Sequence, residues 1–297
     1  MRIVFNSSFS DGVLAISRAA QALTDAQRQV ATGRRINAPS DDPLGAASAI
    51  LEHSTLDRLD AYSGAADAAA YRLGLADSAL SDIINQVTSA QTIALSARGS
   101  APTQVQRDAA SHELLAIRDA LKSDINAQFQ GAYIFSGSKT TVPPFTQSGS
   151  VISPYQGDAN PTHIDITNGR TASITFDGGK VFQGSDPQHV LDALTNLAAA
   201  VSAGNQAGIA TGVDALSRAF DRATNQQAEV GNDLRAIDDV RLRTASERTG
   251  VIARLASIED ADLAEAASRL SQADTAYRAA LAAVATVGRV SLMDYLK

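Results

Sequence analysis

Cysteine and tryptophan are absent from the sequence, and aromatic residues make up only 5% of its 297 residues. The lack of cysteine excludes disulfide bonds, cysteine-ligated metal sites and thiol chemistry. The apolar fraction of 44% is therefore made up largely of alanine and aliphatic residues. Such a composition favours close packing of helices over a core of bulky side chains.

Basic residues are also too few for a nucleic-acid partner. The net charge is −7, whereas phosphate binding needs concentrated lysine and arginine. No stretch approaches the run of about 18 uncharged apolar residues that a membrane span needs, so we expect no membrane partner. The N-terminal residues lack an apolar run followed by a cleavage site, so we expect no cleaved signal peptide.

Residues that carry catalysis or bind metals are not grouped in the sequence. The four histidines are His53, His112, His163 and His189. None of them has the spacing of a helical metal site, and no phosphate-binding glycine loop or serine-nucleophile motif is present. The adjacent Asp41 and Asp42 are explained by helix capping, because Pro43 follows at a first helical position. We therefore predict a non-enzymatic protein without a metal or cofactor.

Caps and prolines mark two long helices in the N-terminal third. The first is predicted over residues 12–33, capped by Ser10 or Asp11 and ended by Gly33. The second is predicted over residues 43–98, which corresponds to roughly 84 Å at about 1.5 Å per residue. A helix of that length is typical of a rod, because it exceeds the width of a compact domain of this size.

A third helix follows a capping box formed by Thr103 and Gln106, and its apolar stripe continues to Gln128. After the middle of the chain, Asp186-Pro187 repeats the cap device and starts another helix. All eight prolines lie at or before position 187, so the remainder is open to long helices. We predict one over residues 210–256 and a last one that begins at Leu263.

Short apolar runs separated by glycine, proline and asparagine replace the helical pattern between residues 132 and 185. The predicted strands are residues 133–135, 151–152, 164–166, 174–176 and 181–182. Asp177-Gly178-Gly179 is predicted to form a tight hairpin turn. We therefore expect a small β-rich insert in the middle of a helical chain.

The two end helices carry apolar residues at heptad spacing, which is typical of coiled coils. The stripe of the first helix is Ile16, Ala19, Leu23, Ala26 and Val30. The stripe of the last helix is Leu263, Ala266, Leu270, Ala273, Tyr277, Ala280 and Val284. Alanines in both stripes allow close approach of the backbones.

Three local motifs resemble the bacterial flagellin superfamily, and within it the hook–filament junction proteins. They lie at residues 32–43, 131–140 and 291–296. The residues that match the family signature are Gly33, Arg34, Arg35, Ile36, Asn37, Ser40, Asp41, Asp42, Pro43, Tyr133, Phe135, Ser136 and Gly137. A proline after the second aspartate is more typical of the junction proteins than of filament flagellin.

The resemblance implies a mainly α fold, in which both chain ends form a long antiparallel coiled-coil rod around a small β-rich insert. It implies a terminal polymerisation core (residues 1–40 and 257–297), a helical rod domain (41–131 and 186–256) and an outer insert (132–185). The expected polymerisation interface is Ile16, Ala19, Leu23, Ala26, Val30, Leu263, Leu270, Ala273, Tyr277, Val284, Leu292 and Leu296.

The family further implies a structural subunit of the extracellular flagellum, assembled by coupled folding of its terminal helices. Its expected partners are other copies of itself, a neighbouring hook-associated protein, flagellin, the type III export apparatus and an export chaperone. The main alternative is filament flagellin with a short outer domain. A metal-dependent enzyme on a helical bundle and a generic coiled-coil scaffold are further alternatives, which the local motifs do not favour.

Overall fold

The computed structural model describes residues 2–99, 102–149 and 151–295, and within the two end helices the side chains of residues 10–286. The helices are α1 Arg2–Thr32, α2 Pro43–Arg98, α3 Gln104–Ile125, α4 Gly178–Phe182, α5 Val190–Ser202, α6 Gln206–Glu259 and α7 Leu263–Tyr295. The strands are β1 Gln128–Phe129, β2 Ala132–Tyr133, β3 Gln147–Ser148, β4 Val151–Ile152, β5 His163–Thr167 and β6 Arg170–Ser173. Consecutive strands pair as three antiparallel hairpins. This confirms the mainly α fold with a small strand-containing middle region.

The chain divides into two compact units. The terminal unit combines both ends of the chain, up to Arg58 and from Ser246. The larger unit is Leu59–Ala245 and includes all six strands. Each unit has packing of its own.

In the terminal unit, α1 and α7 pack against each other in antiparallel directions. A Cβ atom on Gly12 would lie 2.7 Å from Cγ2 of Val284, near the far end of the pair. At the other end, the N–H of Ala261 donates to the carbonyl oxygen of Gly33 at 2.9 Å. The expected pairing of the first and last helices is therefore confirmed.

The helix boundaries of this unit follow local cap chemistry, with one exception. Gly33 ends α1 with a φ of 69°, a left-handed conformation that glycine adopts without steric cost. Pro43 begins α2, and Asp42 caps it by accepting from the N–H of Gly45 at 2.9 Å. The predicted cap at Ser10 or Asp11 was wrong, because α1 already begins at Arg2. No glycine or proline precedes Asp11, so nothing local ends the helix there.

The core of the larger unit is built around apolar residues at heptad spacing in α2. The α2 stripe buries Leu73, Ala76, Leu80, Ile83, Val87, Ala90, Ala94 and Ala97. They belong to one cluster with the α3 residues Leu114, Leu121 and Ile125 and the α6 residues Leu216, Val230 and Ile237. The cluster extends into the strand-containing segment through Phe135, Phe145 and Phe182. The larger unit therefore has a continuous apolar core of its own.

The capping box at the start of α3 is confirmed, but its predicted extent was too long. Thr103 accepts from the N–H of Gln106, and the Gln106 side chain accepts from the Thr103 N–H at 2.9 Å. The helix ends at Ile125, so Gln128 lies in β1 instead. Asn126 terminates the helix, and its side-chain amide donates to the carbonyl oxygen of Phe145 at 2.8 Å.

The strand predictions for the middle segment were right in part. The runs at 151–152 and 164–166 lie in β4 and β5, whereas only Tyr133 of the run 133–135 lies in a strand. The runs at 174–176 and 181–182 are not strands. The second of them belongs to α4.

Asp177-Gly178-Gly179 was wrongly predicted to be a hairpin turn. Asp177 caps α4, because its Oδ1 accepts from the N–H of Lys180 at 3.1 Å. Gly178 is needed for space, since a Cβ there would lie 2.4 Å from the carbonyl oxygen of Phe135. A capping aspartate and a turn aspartate look alike in sequence when glycines follow.

The helix expected after Asp186-Pro187 also begins elsewhere. Asp186 makes ion pairs with Arg218 at 2.7 Å and Arg222 at 2.9 Å. His189 caps α5 instead, with its Nδ1 accepting from the N–H of Asp192 at 3.2 Å. Two arginines one turn apart on α6 bind the Asp186 carboxylate. Because they are distant in sequence, the residues around Asp186 do not predict this contact.

Candidate functional site

The signature segment between α1 and α2 folds back on itself around Asp41. One carboxylate oxygen of Asp41 accepts from the main-chain N–H groups of Asn37 at 2.9 Å and Ala38 at 2.8 Å. These hydrogen bonds hold the pKa of Asp41 below its ordinary value. The Asn37 side chain donates to the carbonyl oxygen of Arg34 at 2.8 Å. The aspartate and the asparagine of the signature therefore fix the shape of the connection.

Arg35 attaches this connection to the one between α6 and α7. Its main-chain N–H donates to the carbonyl oxygen of Glu259 at 2.6 Å. Its guanidinium donates to the carbonyl oxygen of Ile258 at 2.8 Å and to the Asp42 carboxylate at 3.1 Å. The hydrogen bond from Gly45 and this arginine hold the pKa of Asp42 low. One arginine thus links the cap of α2 to the end of α6.

Glu259 is a buried carboxylate at the centre of the same site. Its oxygens lie 3.4 Å from Nη1 of Arg34 and 3.0 Å from Nε2 of His53. One turn earlier on α6, Arg254 makes a two-pronged ion pair with Glu52 of α2 at 2.9 and 3.0 Å. This pair keeps the Glu52 pKa below its usual range and raises that of Arg254.

Sequence reasoning missed Glu259 and Arg254, because their partners lie about 200 residues away in the chain. The sequence identifies His53 only as one of four histidines without the spacing of a helical metal site, and its contact with Glu259 is not predicted. The single local signal at this position was the Asp262 cap just beyond Glu259, which accepts from the N–H of Ala264 at 2.9 Å.

The predicted interface residues lie along the α1–α7 pair, and most of them are only partly covered. The half-buried members are Ile16, Ala19, Leu23, Val30, Leu270, Ala273, Tyr277 and Val284. Ala26 is buried, and together with Ala273 it lines a groove between α1 and α7. Leu263 is 59% exposed. The Leu292 side chain and all of Leu296 lie outside the described residues.

Exposed large apolar side chains are concentrated in the terminal unit. Its described residues expose Val13, Leu14, Leu44, Ile50, Leu51, Ile252, Leu263 and Leu281. The described part of the larger unit, although longer, exposes Tyr71, Leu95, Val105, Val151 and Leu242. Contiguous exposed apolar surface is typical of a protein that associates with other chains. The terminal unit is therefore the better candidate for an association surface.

Exposed apolar side chains are most evident in the first turns of α2. Ala46 and Ala49 are buried on one side of the helix, while Leu44, Ile50 and Leu51 are exposed on the others. No charged residue occurs between Pro43 and Leu51. A helix that is apolar on all sides is typical of a buried segment.

The second signature segment is structural. Phe135 is buried and packs edge-on against Phe182, with ring centroids 5.2 Å apart. The Ser136 hydroxyl donates to the carbonyl oxygen of Val142 at 2.7 Å. The N–H of Gly137 donates to Phe176, and its φ of 63° suits glycine.

Two residues that sequence reasoning missed hold this segment in place. The Tyr155 hydroxyl lies 3.0 Å from the carbonyl oxygen of Phe135 and accepts from the N–H of Gly178 at 3.1 Å. Burial raises the pKa of Tyr155 to about 12. The Asp158 carboxylate accepts from the N–H and the hydroxyl of Ser138, at 2.8 and 2.6 Å, which hold its pKa low.

Within the described residues, no group of three or more His, Asp or Glu side chains is placed to hold a metal ion. Among the described helices, none is both long enough and apolar enough to cross a membrane. The site that emerges is a helix junction with exposed apolar surface around it.

Comparisons with known proteins find similarity to proteins of the bacterial flagellum. Residues 9–140 match the family described as bacterial flagellin N-terminal helical region. The chain is 27% identical to flagellar hook-associated protein 3 of Salmonella typhimurium over 183 residues. The aligned residues cover 61% of this chain and 57% of that protein. It is 24% identical over 292 residues to the Escherichia coli protein of the same name, covering 91% of each.

A solved structure has the same fold. The crystal structure of the flagellar junction protein FlgL from Legionella pneumophila superposes with a TM-score of 0.61 at 12% identity. The superposition covers 71% of this chain and 99% of that one.

Proposed function

We propose that this chain, a member of the bacterial flagellin superfamily, is a non-enzymatic structural subunit of the flagellum that forms the junction between hook and filament. The relatives and the structural neighbour carry the names of hook-associated and junction proteins. These names favour the junction role over the alternative of filament flagellin. The subunit would therefore stand in the external flagellum, between a neighbouring hook-associated protein and flagellin.

One structural observation carries the proposal, namely the exposed apolar surface of the terminal unit. Val13 and Leu14 on α1 are 47% and 53% exposed, and Leu44 on α2 is 83% exposed. Burying a leucine or valine side chain contributes roughly 1.5–3 kcal/mol. Neighbouring subunits that cover these residues would gain this free energy, which supports polymerisation through the chain ends.

The interface would follow the α1–α7 pair. We assign to it Ile16, Ala19, Leu23, Ala26, Val30, Leu263, Leu270, Ala273, Tyr277, Val284, Leu292 and Leu296. Alanines on the facing sides of both helices allow close approach of the two backbones. Gly12 lies opposite Val284 and, because it has no side chain, leaves room for the valine. The hydrogen bonds that join Arg35 to the end of α6 at Glu259 would hold α1 and α7 in register.

Polymerisation would be coupled to folding of the terminal helices. Ordering a residue costs about 1–2 kcal/mol, and most helical stability in proteins comes from tertiary packing of an apolar face and not from the helix alone. Among described residues 10–32, only Ala26 is fully buried. The helical form of α1 and α7 would therefore be stable in the assembly, where neighbours add the missing contacts.

The three-part division of the chain belongs to the same proposal. Residues 1–40 and 257–297 would form the polymerisation core, residues 41–131 and 186–256 the helical rod domain, and residues 132–185 the outer insert. We further propose that the subunit leaves the cell through the flagellar type III export apparatus, and that an export chaperone covers its terminal helices until it assembles. An exposed apolar surface that must remain soluble before assembly supports a chaperone.

Deletion of the gene followed by electron microscopy tests the function. Bare hooks together with flagellin secreted into the medium are the expected result. Complementation with the intact gene should restore filaments. Loss of the filament protein itself, or normal filaments on the hooks, would refute the junction role.

A further inference from the structure

The loop between β5 and β6 consists of Asn168 and Gly169, and both residues are exposed. Gly169 has a φ of 76°, and among the described non-glycine residues only Gln130 has a positive φ. A two-residue loop with a negative φ at its first position and a φ near +80° at its second has the φ angles of a type II turn. Because Gly169 has no side chain, its main-chain nitrogen is open to the neighbouring side chain of Asn168.

We propose that Asn168 is a site of spontaneous covalent modification, namely deamidation through a cyclic imide. The Gly169 nitrogen attacks Cγ of Asn168, the new C–N bond replaces the bond to the side-chain nitrogen, and ammonia leaves with the proton from the Gly169 N–H. Water then opens the ring at either carbonyl carbon. The products are aspartate, or isoaspartate with the main chain running through Cβ. No oxidant or enzyme is needed.

The surroundings of the loop leave this reaction unopposed. Gly169 has no side chain, and nothing lies within 4 Å of the position that its Cβ would occupy. The hydrogen bond of such a turn joins its first and fourth residues, here Thr167 and Arg170, and so does not use the Gly169 N–H. Asn168 is also the only asparagine in the sequence that glycine follows.

The two aspartate–glycine pairs of the chain provide internal controls, because aspartate forms the same cyclic imide by loss of water. Asp177 is held by its cap contact to Lys180, while the Gly178 N–H donates to Phe135 at 3.1 Å. Asp11-Gly12 lies inside α1, where the helical ψ is far from the value that ring closure needs. We therefore expect modification at Asn168 and not at these pairs.

The modification would alter the hairpin. It places a negative charge two residues from Arg170, and the isoaspartate product adds a main-chain carbon to a loop of only two residues. Thr167 pairs with Arg170 beside the loop, and a register shift between Asp165 and Thr167 separates this pair from the regular pairing of the rest of β5 and β6. Ile166 and Ala172 from these strands are buried in the core of the larger unit. We therefore expect the modified hairpin to open more easily.

The test is ageing of the intact purified chain at neutral and mildly alkaline pH, followed by peptide mapping with mass spectrometry. A synthetic peptide covering residues 163–173 serves as the unfolded reference. We expect Asn168 to convert at least as fast as the reference and ahead of every other asparagine. Conversion at Asn168 more than an order of magnitude slower than in the peptide would overturn the proposal. Modification at Asp177 as fast as at Asn168 would also overturn it.

Asn168→Gln provides the matched variant, because the longer side chain closes a six-membered ring more slowly while the turn keeps its polarity. Its peptide should remain unmodified over the same period. Amide exchange of β5 and β6 then tests the consequence. We expect faster exchange in the aged wild type and no change in the aged variant, and equal exchange in both would refute the effect on the hairpin.

Discussion

The main-chain N–H of Arg35 donates to the carbonyl oxygen of Glu259 at 2.6 Å, which joins two segments that lie more than 200 residues apart in the chain. A second hydrogen bond runs the opposite way, from Ala261 to Gly33 at 2.9 Å. The α1–α2 and α6–α7 connections therefore pair through their backbones. This pairing fixes the register in which α1 and α7 leave the junction, and the Arg35 side chain adds hydrogen bonds to Ile258 and Asp42.

Replacement of the buried Glu259 by alanine should destabilise the terminal unit. The change removes the carboxylate that pairs with Arg34 and His53, whose side chains are 53% and 44% exposed and can be solvated in the variant. Loss of such an interaction costs about 0.5–1.5 kcal/mol, because its partners are not left buried and unsatisfied. We expect a drop of that size in the free energy of unfolding, and faster exchange of the Arg35 amide, measured by urea titration and hydrogen exchange.

Glu265→Ala is the matched control. Glu265 forms an i,i+4 ion pair with Arg269 at 2.6 Å, but both side chains are mostly exposed. Exposed ion pairs contribute about 0–1 kcal/mol. If the two variants lose equal stability, Glu259 does not have the central role that its position indicates.

Substitution of Gly137 by alanine should destabilise the larger unit more than the same change at Gly131. Both glycines have a positive φ, and a left-handed conformation costs alanine about 1–2 kcal/mol. Only at Gly137 would the new Cβ meet another atom, the carbonyl oxygen of Asp158 at 2.2 Å. Such overpacking adds about 1–3 kcal/mol. Chemical denaturation of the two variants measures the difference, and equal losses would contradict it.

The helices were predictable where one residue decides the boundary. Pro43 after Asp42, Gly33 at the end of α1 and the Thr103 capping box each act within a few residues, so sequence alone located them. The apolar stripe of α2 has a similarly local origin, because its heptad spacing is visible in the sequence and its residues are buried.

The errors occurred where a distant partner decides the outcome. Asp186 was expected to cap a helix, but Arg218 and Arg222 on α6 take its carboxylate. Asp177 was expected to form a turn, but Phe135 and Tyr155 hold the following glycine against the core. Contacts of this kind depend on tertiary packing, which overrides local propensity.

Acidification should weaken the packing around His189. The ring is buried and packs against Phe145 in a tilted arrangement, with centroids 4.8 Å apart. Its Nδ1 accepts from the N–H of Asp192, while its Nε2 faces the Asp192 carboxylate at 3.0 Å. This pattern requires the neutral ring, with its proton on Nε2. Protonation of Nδ1 would set two donors against each other at the start of α5.

The sign follows from the direction of the shift. Burial lowers the pKa of His189 below 6.5, more than the Asp192 carboxylate raises it. The unfolded chain therefore takes up a proton as the pH falls through about 6.5, while the native state does not. We expect the free energy of unfolding to decrease below that pH until the native ring is protonated as well. Thermal melting between pH 7.5 and 5 measures this.

His189→Asn removes the titration while its side-chain oxygen can still cap α5. We expect a flatter melting temperature across the same pH range than in the wild type. His112→Gln, at an exposed position on α3, should leave the wild-type pH dependence unchanged. An identical acid response in wild type and His189→Asn would exclude His189 as its source.

Replacement of Val13 and Leu14 by serine should block polymerisation without unfolding the subunit. Each lost apolar contact removes about 1–2 kcal/mol from association, so the concentration needed to polymerise should rise at least about tenfold. The stability of the monomer should change by less than about 0.5 kcal/mol per residue, because both side chains are already half exposed. Sedimentation of mixtures with hook fragments measures the first effect and urea titration the second.

Val105→Ser is the matched control for this double change, since Val105 is exposed in the larger unit. It should polymerise at the wild-type concentration. Equal impairment by both variants would show that exposed apolar residues act on solubility in general. The exposure of Val13 and Leu14 would then no longer be a reason for assigning the interface to α1.

Hydrogen exchange on the free and the assembled subunit tests the coupling between folding and assembly. In the monomer, the amides of residues 10–32 and 263–286 should exchange much faster than those of residues 73–97, because most of the end-helix side chains are only partly covered whereas the α2 stripe is buried. After assembly onto hooks, the end-helix amides should become protected while residues 73–97 change little. Equal protection of both regions in the monomer would mean that the ends fold without neighbours. Polymerisation would then have to be controlled by something other than the order of the terminal helices.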